Sequence, residues 1–242
     1  MLWASSCGLA FAGPPYETDD PEPTQFRNYE IYFFQDYHRV GESIDASIGT
    51  LEINFGGFHN TQLSASIPVS TAQQGTKTDY GLGDIELAVK YRFLPETNGR
   101  PQVSFYPAVT IASGNPNTGL GAGHATLFLP LWAQKSYGPW TIFGGGGLQV
   151  DGHEANQHEW REGLAVTRDI GKATNLGVEV YRATPDEATS PGYTDIGIGI
   201  IQGVGKYHAV LARFGRALAP GSVHAYAAYE WKLGPAGASE EP

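Results

Sequence analysis

The residues most able to do chemistry are His153-Glu154-Ala155-Asn156-Gln157-His158-Glu159, which gather imidazoles and carboxylates suited to a divalent metal. Four residues separate the two histidines, whereas a zinc-binding helix needs three between them to bring both imidazoles to one face. A solvated polar loop is therefore expected, with no metal. His124, His208 and His224 are scattered and have no Ser and acid partners for nucleophilic catalysis. No Gly-x-Ser-x-Gly elbow is present. Gly144–Gly147 fall inside an extended stretch, a poor setting for a phosphate cradle. These observations assign no catalytic residue and no cofactor.

The ionisable residues with a clear pattern alternate rather than cluster. Asp84, Glu86, Lys90 and Arg92 are interleaved with Ile85, Leu87, Val89, Tyr91 and Phe93. His224, Tyr226, Glu230 and Lys232 are interleaved with Val223, Ala225, Ala227, Tyr229 and Trp231. Only a strand of period two puts such sets on opposite faces. Together with Glu30 and Glu179, these polar residues are predicted to face an enclosed space. There, charges of both signs either line a polar channel or lock it shut through ion pairs. Inward glycines, among them Gly144–Gly147, Gly197, Gly199 and Gly203, would widen the bore or relieve curvature in the wall.

The elements that must position these residues are long strands. About twelve are legible, near 26–38, 42–55, 59–70, 80–94, 101–113, 124–136, 139–150, 158–169, 173–183, 193–204, 207–216 and 222–233. In the second, Ile44, Ala46 and Ile48 are out of phase with Leu51, Ile53 and Phe55, and Gly49 is the natural site for a bulge between them. Short turns near Gly56-Gly57, Glu96–Gly99, Gly138-Pro139, Gly171-Lys172 and Gly205-Lys206 alternate with mostly longer loops. Aromatic residues sort into two belts: Tyr29, Tyr91, Phe93, Trp132, Tyr137, Trp140, Tyr207, Tyr229 and Trp231 near the short turns, and Tyr37, Tyr80, Trp160, Tyr181, Tyr193 and Phe214 near the long loops. The fold expected is an all-β, antiparallel up-and-down transmembrane barrel of about twelve strands. A soluble barrel would turn its apolar face inward and its charges to water.

Composition agrees with this reading. Glycine accounts for 32 of 242 residues and charged residues for only 17%. The net charge of −10 leaves no basic cluster for nucleic acid. A lone cysteine, Cys7, cannot build a disulfide framework or a cysteine zinc site. Residues 1–12 end in Ala10-Phe11-Ala12, a signal-peptidase pattern without a basic start. Residues 13–25 hold four prolines and the acids Glu17, Asp19, Asp20 and Glu22. This leader is expected either to fold against or into the barrel as a partial plug or to remain a solvated tail. Arg92, Arg100, Lys135, Lys172, Lys206 and Lys232 lie toward the short-turn end, where they form a basic rim for it. Residues 26–233 make the barrel and 234–242 a tail.

Several strings give the chain a resemblance to bacterial outer-membrane proteins of the "MetA-pathway of phenol degradation" or transporter-like type. They are residues 13–23 (GPPYETDDPEP), 80–93 (YGLGDIELAVKYRF), 129–136 (LPLWAQKS), Gly138-Pro139-Trp140-Thr141 and Gly144–Gly147. The resemblance implies an outer-membrane barrel of a Gram-negative bacterium that takes up small hydrophobic or aromatic molecules. Its implied partners are outer-membrane lipid and lipopolysaccharide, the cargo, and the barrel-assembly machinery during biogenesis. The expected function is passive passage. The alternatives are a lipid-modifying outer-membrane enzyme and a structural barrel with a closed lumen.

Overall fold

A computed structural model describes residues 14–40, 43–74, 77–152, 158–185, 192–218 and 221–235. The proposed signal segment 1–12, most of the 234–242 tail and the stretch from His153 to Gln157 lie outside the described residues. Alternating polar and apolar side chains give extended backbone almost throughout, and the only helix among the described residues is the single turn Pro116–Thr118.

The strand segments are β1 (Tyr29–Val40), β2 (Ser43–Phe58), β3 (Thr61–Gln74), β4 (Lys77–Leu82), β5 (Ile85–Leu94), β6 (Gln102–Phe105) and β7 (Ala108–Ile111). They continue with β8 (Thr126–Tyr137), β9 (Trp140–Asp151), β10 (Glu159–Ile170), β11 (Thr174–Ala183), β12 (Tyr193–Gly203), β13 (His208–Ala217) and β14 (Val223–Leu233). β4 and β5 follow one another along β3, and β6 and β7 share one place between β5 and β8. The wall therefore has twelve antiparallel strands, two of them broken. β1 pairs with β14 from Tyr29↔Leu233 to Arg39↔Val223 and closes the cylinder. Closure matters because every ladder group finds a partner without an exposed edge, as spanning a bilayer requires.

Each break has a definite cause. Pro107 has no N–H for a ladder, although its carbonyl still accepts from Val89 N at 3.1 Å. At the other break, the Asp84 carboxylate accepts from the backbone N–H groups of Gly114 (2.8 Å) and Ala122 (2.7 Å). It thereby pins the loop between β7 and β8, whose Leu120 packs against the inward-facing Gly81. The bulge falls at Ile48-Gly49: Ser47 pairs with Ser70 and Gly49 with Val69, so Ile48 is the extra residue. Both Ile48 and Leu51 consequently reach the outer surface. The first short turn falls at His59-Asn60, with Asn60 at φ 57, rather than at Gly56-Gly57.

The two faces are inverted relative to a soluble protein. Leu63, Val89, Val178, Ile198 and Phe214 are exposed on the outside, while Lys90, Glu179, Arg213 and Glu230 are buried inside. An apolar outer band of this extent is stable only against lipid. Tyr91, Phe93, Tyr137, Trp140, Tyr207, Tyr229 and Trp231 are exposed near the short turns, and Tyr80, Trp160 and Phe214 are exposed toward the loops. Three belt assignments need correction. Trp132 (2% exposed) and Tyr181 (5%) point inward, as does Tyr193, whose hydroxyl bonds Glu17. Their strand parity overrides their height: Trp132 shares its face with Gln134, and Tyr181 with Glu179.

Ile198, halfway along β12 on the lipid face, gives a direct test of this orientation. Ile198→Arg is expected to cost about 2–4 kcal/mol of folding in a bilayer, read as a lower urea midpoint for refolding into lipid vesicles.

Candidate functional site

The lumen is occupied by the chain's own leader. At the short-turn end Phe26 bridges to Gly56, Arg27 N donates to Gly56 O (2.7 Å) and Gly56 N donates to Asn28 O (3.0 Å). Arg27 adopts a left-handed φ of 64 there, which turns the backbone into the barrel. A Cβ on Gly56 would overlap the Gln25 carbonyl, so this glycine serves close approach of the leader rather than a turn. Gly56→Val is expected to destabilise the leader's root by about 1–3 kcal/mol, measured as faster amide exchange at Arg27 and Asn28.

From that root, residues 14–25 run through the barrel. Pro14, Pro15, Pro21 and Pro23 suit the path, since a segment outside the ladder gains by having fewer N–H groups to satisfy. Thr24 is held low in the lumen, its N–H on Gln62 Oε1 (2.8 Å) and its hydroxyl on Glu30 Oε2 (3.0 Å). Asp19 accepts from Lys90 Nζ at 3.0 Å, and the Lys90 ammonium also lies 4.7 Å from the Tyr106 ring centre. Thr18 N–H donates to Glu179 Oε1. Tyr16 meets Phe143 edge-on at 5.8 Å.

Glu17 reaches the most elaborate cluster. Its carboxylate contacts Arg213 Nη2 (3.2 Å), His224 Nδ1 (3.0 Å) and the Tyr193 hydroxyl (3.0 Å). Arg213 also binds Glu179 through Nε at 2.7 Å and Asp195 through Nη2. His224 bridges onward to Asp36. Asp20 is fully buried, with Oδ1 accepting from the Glu22 N–H at 2.7 Å and Oδ2 without a hydrogen-bond partner, and among the described residues it forms no ion pair. Asp20→Asn should therefore leave the leader docked. Asp19→Asn should loosen it by about 1–3 kcal/mol by removing the negative charge that faces the buried Lys90 ammonium. The alkylation rate of a cysteine placed at Thr18 separates the two outcomes.

Small residues make room for the leader. A Cβ on Gly163 would overlap Thr18, and a Cβ on Gly177 or Gly199 would overlap the Tyr16 ring or hydroxyl. β10–β12 thus present a groove on the inner wall that fits Tyr16–Thr18.

Each residue singled out by alternation has a definite place. Glu179, His224 and Lys90 hold the leader. Glu30, Glu230 and Lys232 form a separate group at the short-turn end, with Lys232 Nζ 3.2 Å from Glu230 and 3.7 Å from Glu30, and Tyr32 donating to Glu230 (2.9 Å). Arg92 donates to Asn60 and Gln102. Tyr226 packs on Phe34 at 5.2 Å, Asp84 ties the loop, and Glu86 stays exposed on the inner face. Of the leader's carboxylates, Glu17 meets Arg213 and His224, and Asp19 meets Lys90, deep in the lumen. Arg213 and Asp195 went unnoticed in the sequence, although Arg213 lies between the outward Ala212 and Phe214.

No family model matches the chain, and no curated protein matches it either. Solved structures do. The COG4313 outer membrane channel from Pseudomonas putida F1 aligns over 88% of this chain and 98% of its own, at TM-score 0.70 and 14% identity. The KdgM porin, solved with disordered oligogalacturonate, aligns over 84% and 98% at TM-score 0.60 and 8% identity. The NanC porin aligns over 84% and 100% at TM-score 0.58 and 9% identity. The chain therefore has the barrel fold seen in outer-membrane channels and porins.

Proposed function

We propose that this protein is a passive channel in the outer membrane of a Gram-negative bacterium, with its leader acting as a plug that sets the bore. The observation that carries this reading is the ion-paired polar lumen: a buried Arg213 cluster enclosed by a lipid-facing wall and closed over Glu17 of the leader. A purely structural barrel would gain more from an apolar core than from buried charge. Lipid and lipopolysaccharide cover the wall, and the barrel-assembly machinery inserts it. The cargo is a small molecule, with hydrophobic or aromatic compounds favoured by the resemblance in the leader and in residues 80–93. Selection by bore and lining groups needs no cofactor and no catalytic residue. Channel recording on the purified full chain in planar bilayers tests this. Discrete current steps are expected, and a barrel that inserts but never conducts contradicts the reading.

A further inference from the structure

The leader does not fill the lumen evenly. Tyr16, Glu17 and Thr18 press on β10–β14 through Gly163, Gly177, Gly199, Arg213 and His224. The facing wall keeps solvent-accessible groups: Ser64, Ser66 and Ser70 along β3, and Thr110 on β7. Glu52, Ser66 and Glu86 form one row across β2, β3 and β5, and Thr110 extends it.

The charge along this wall is one-sided. Lys90 is taken by Asp19, Arg213 by Glu17, Glu179 and Asp195, and Lys232 by Glu30 and Glu230. Among the described residues, no Lys, Arg or His lies within salt-bridge distance of Glu52 or Glu86. Asn54, 4% exposed, donates to Glu52 Oε1 at 2.7 Å and leaves its own Oδ1 without a partner. Thr110 hydrogen-bonds Glu86, and Arg161, which is paired with Glu159, reaches it only through space, so neither Glu52 nor Glu86 has an ion-pair partner of its own and a permeating cation can take that place.

We propose that the passage beside the docked leader favours cations over anions, and that Glu52 and Glu86 set that preference. The inference rests on the channel reading above and adds a solute class to it: small cations, inorganic or ammonium-bearing. Carboxylates in a narrow bore attract counter-ions and repel co-ions, an effect screened by salt.

Reversal potentials of the full chain under a KCl gradient test this. A K⁺ over Cl⁻ permeability ratio of roughly 3–10 is expected near 0.1 M salt, falling toward unity near 1 M, where the Debye length is about 3 Å. Glu52→Gln/Glu86→Gln should bring the low-salt ratio toward unity while single-channel steps persist. Glu86→Gln alone, at the more exposed position, should lower it part of the way and serves if the double variant fails to insert. A wild-type ratio at or below unity, or variants with an unchanged ratio, overturns the inference and leaves the channel reading standing. Absence of current from both the full chain and a variant lacking residues 14–25 overturns both.

Discussion

Removing residues 14–25 is expected to raise the single-channel conductance by about three- to tenfold. The expectation follows from where those residues sit. Thr18 and Asp20 are fully buried inside a twelve-stranded cylinder, a size class whose bore is already narrow. A peptide threaded through such a bore excludes most of the water that would otherwise carry ions. The wall should survive the deletion, because β1 starts at Tyr29 and its pairing with β14 and β2 does not involve the leader. Planar-bilayer recordings of the full chain and the deletion, at the same salt, give the comparison directly. Equal conductance would mean that current does not pass the segment, and the plug would have to be abandoned.

Replacing Arg213 by Met is expected to have the second largest effect. Among the described residues, the guanidinium is the only cation touching Glu17, Glu179 and Asp195 together, and all three carboxylates are largely buried. Removing it leaves uncompensated charge in a confined space, at a cost of about 3–5 kcal/mol. The leader can leave the lumen to relieve that cost, whereas Glu179 and Asp195 are fixed in the wall. The variant should therefore undock the leader rather than unfold the barrel. In a Cys7→Ser background, a cysteine at Thr18 should react with a hydrophilic maleimide about 10²–10⁴ times faster once Arg213 is gone, the population change equivalent to that energy. Unchanged alkylation would show that the Glu17 contact contributes little to docking.

Most of the wall was legible in the sequence because a strand in a barrel repeats a binary choice at every residue. The twelve strands, the bulge beside Gly49 and the outward side of Leu87, Val178 and Ile198 all follow from period two. The two broken strands did not, because their interruptions depend on partners distant in sequence: Asp84 on the amides of Gly114 and Ala122, and Pro107 on the register of β5 and β8. Trp132 and Tyr181 were misplaced for a related reason. Their distance from the turns suggested a belt at the membrane surface, but parity decides which side of the wall a ring occupies.

The lumen was legible only in part. Alternation singles out Glu179, His224 and Lys90, yet it carries no information about what they bind. The acidity of the leader pointed toward the basic rim, where cations are most numerous. The structure adds deeper partners for Glu17 and Asp19, namely Arg213, His224 and Lys90, which are desolvated, so each attraction is less screened than at the rim. Gly199 reads as widening of the bore or relief of wall curvature until Tyr16 is seen resting against it, and Gly163 and Gly177, which alternation does not single out, make room for the same segment.

The most direct measurement asks whether the leader occupies that groove in a membrane. A Cβ on Gly163 would stand 3.0 Å from Thr18 Cβ, about half an ångström inside the 3.5–4.5 Å of paired cysteines, so a small retreat of the leader from the wall brings the pair to bonding distance. With Cys7 replaced by Ser, the pair Thr18→Cys and Gly163→Cys should oxidise to an intramolecular disulfide in intact outer membranes. Reduction should then restore fast alkylation at position 18 when Arg213 is also replaced. A pair that stays reduced under oxidant, with position 18 freely alkylated while Arg213 is intact, would place the leader outside the barrel and contradict the account.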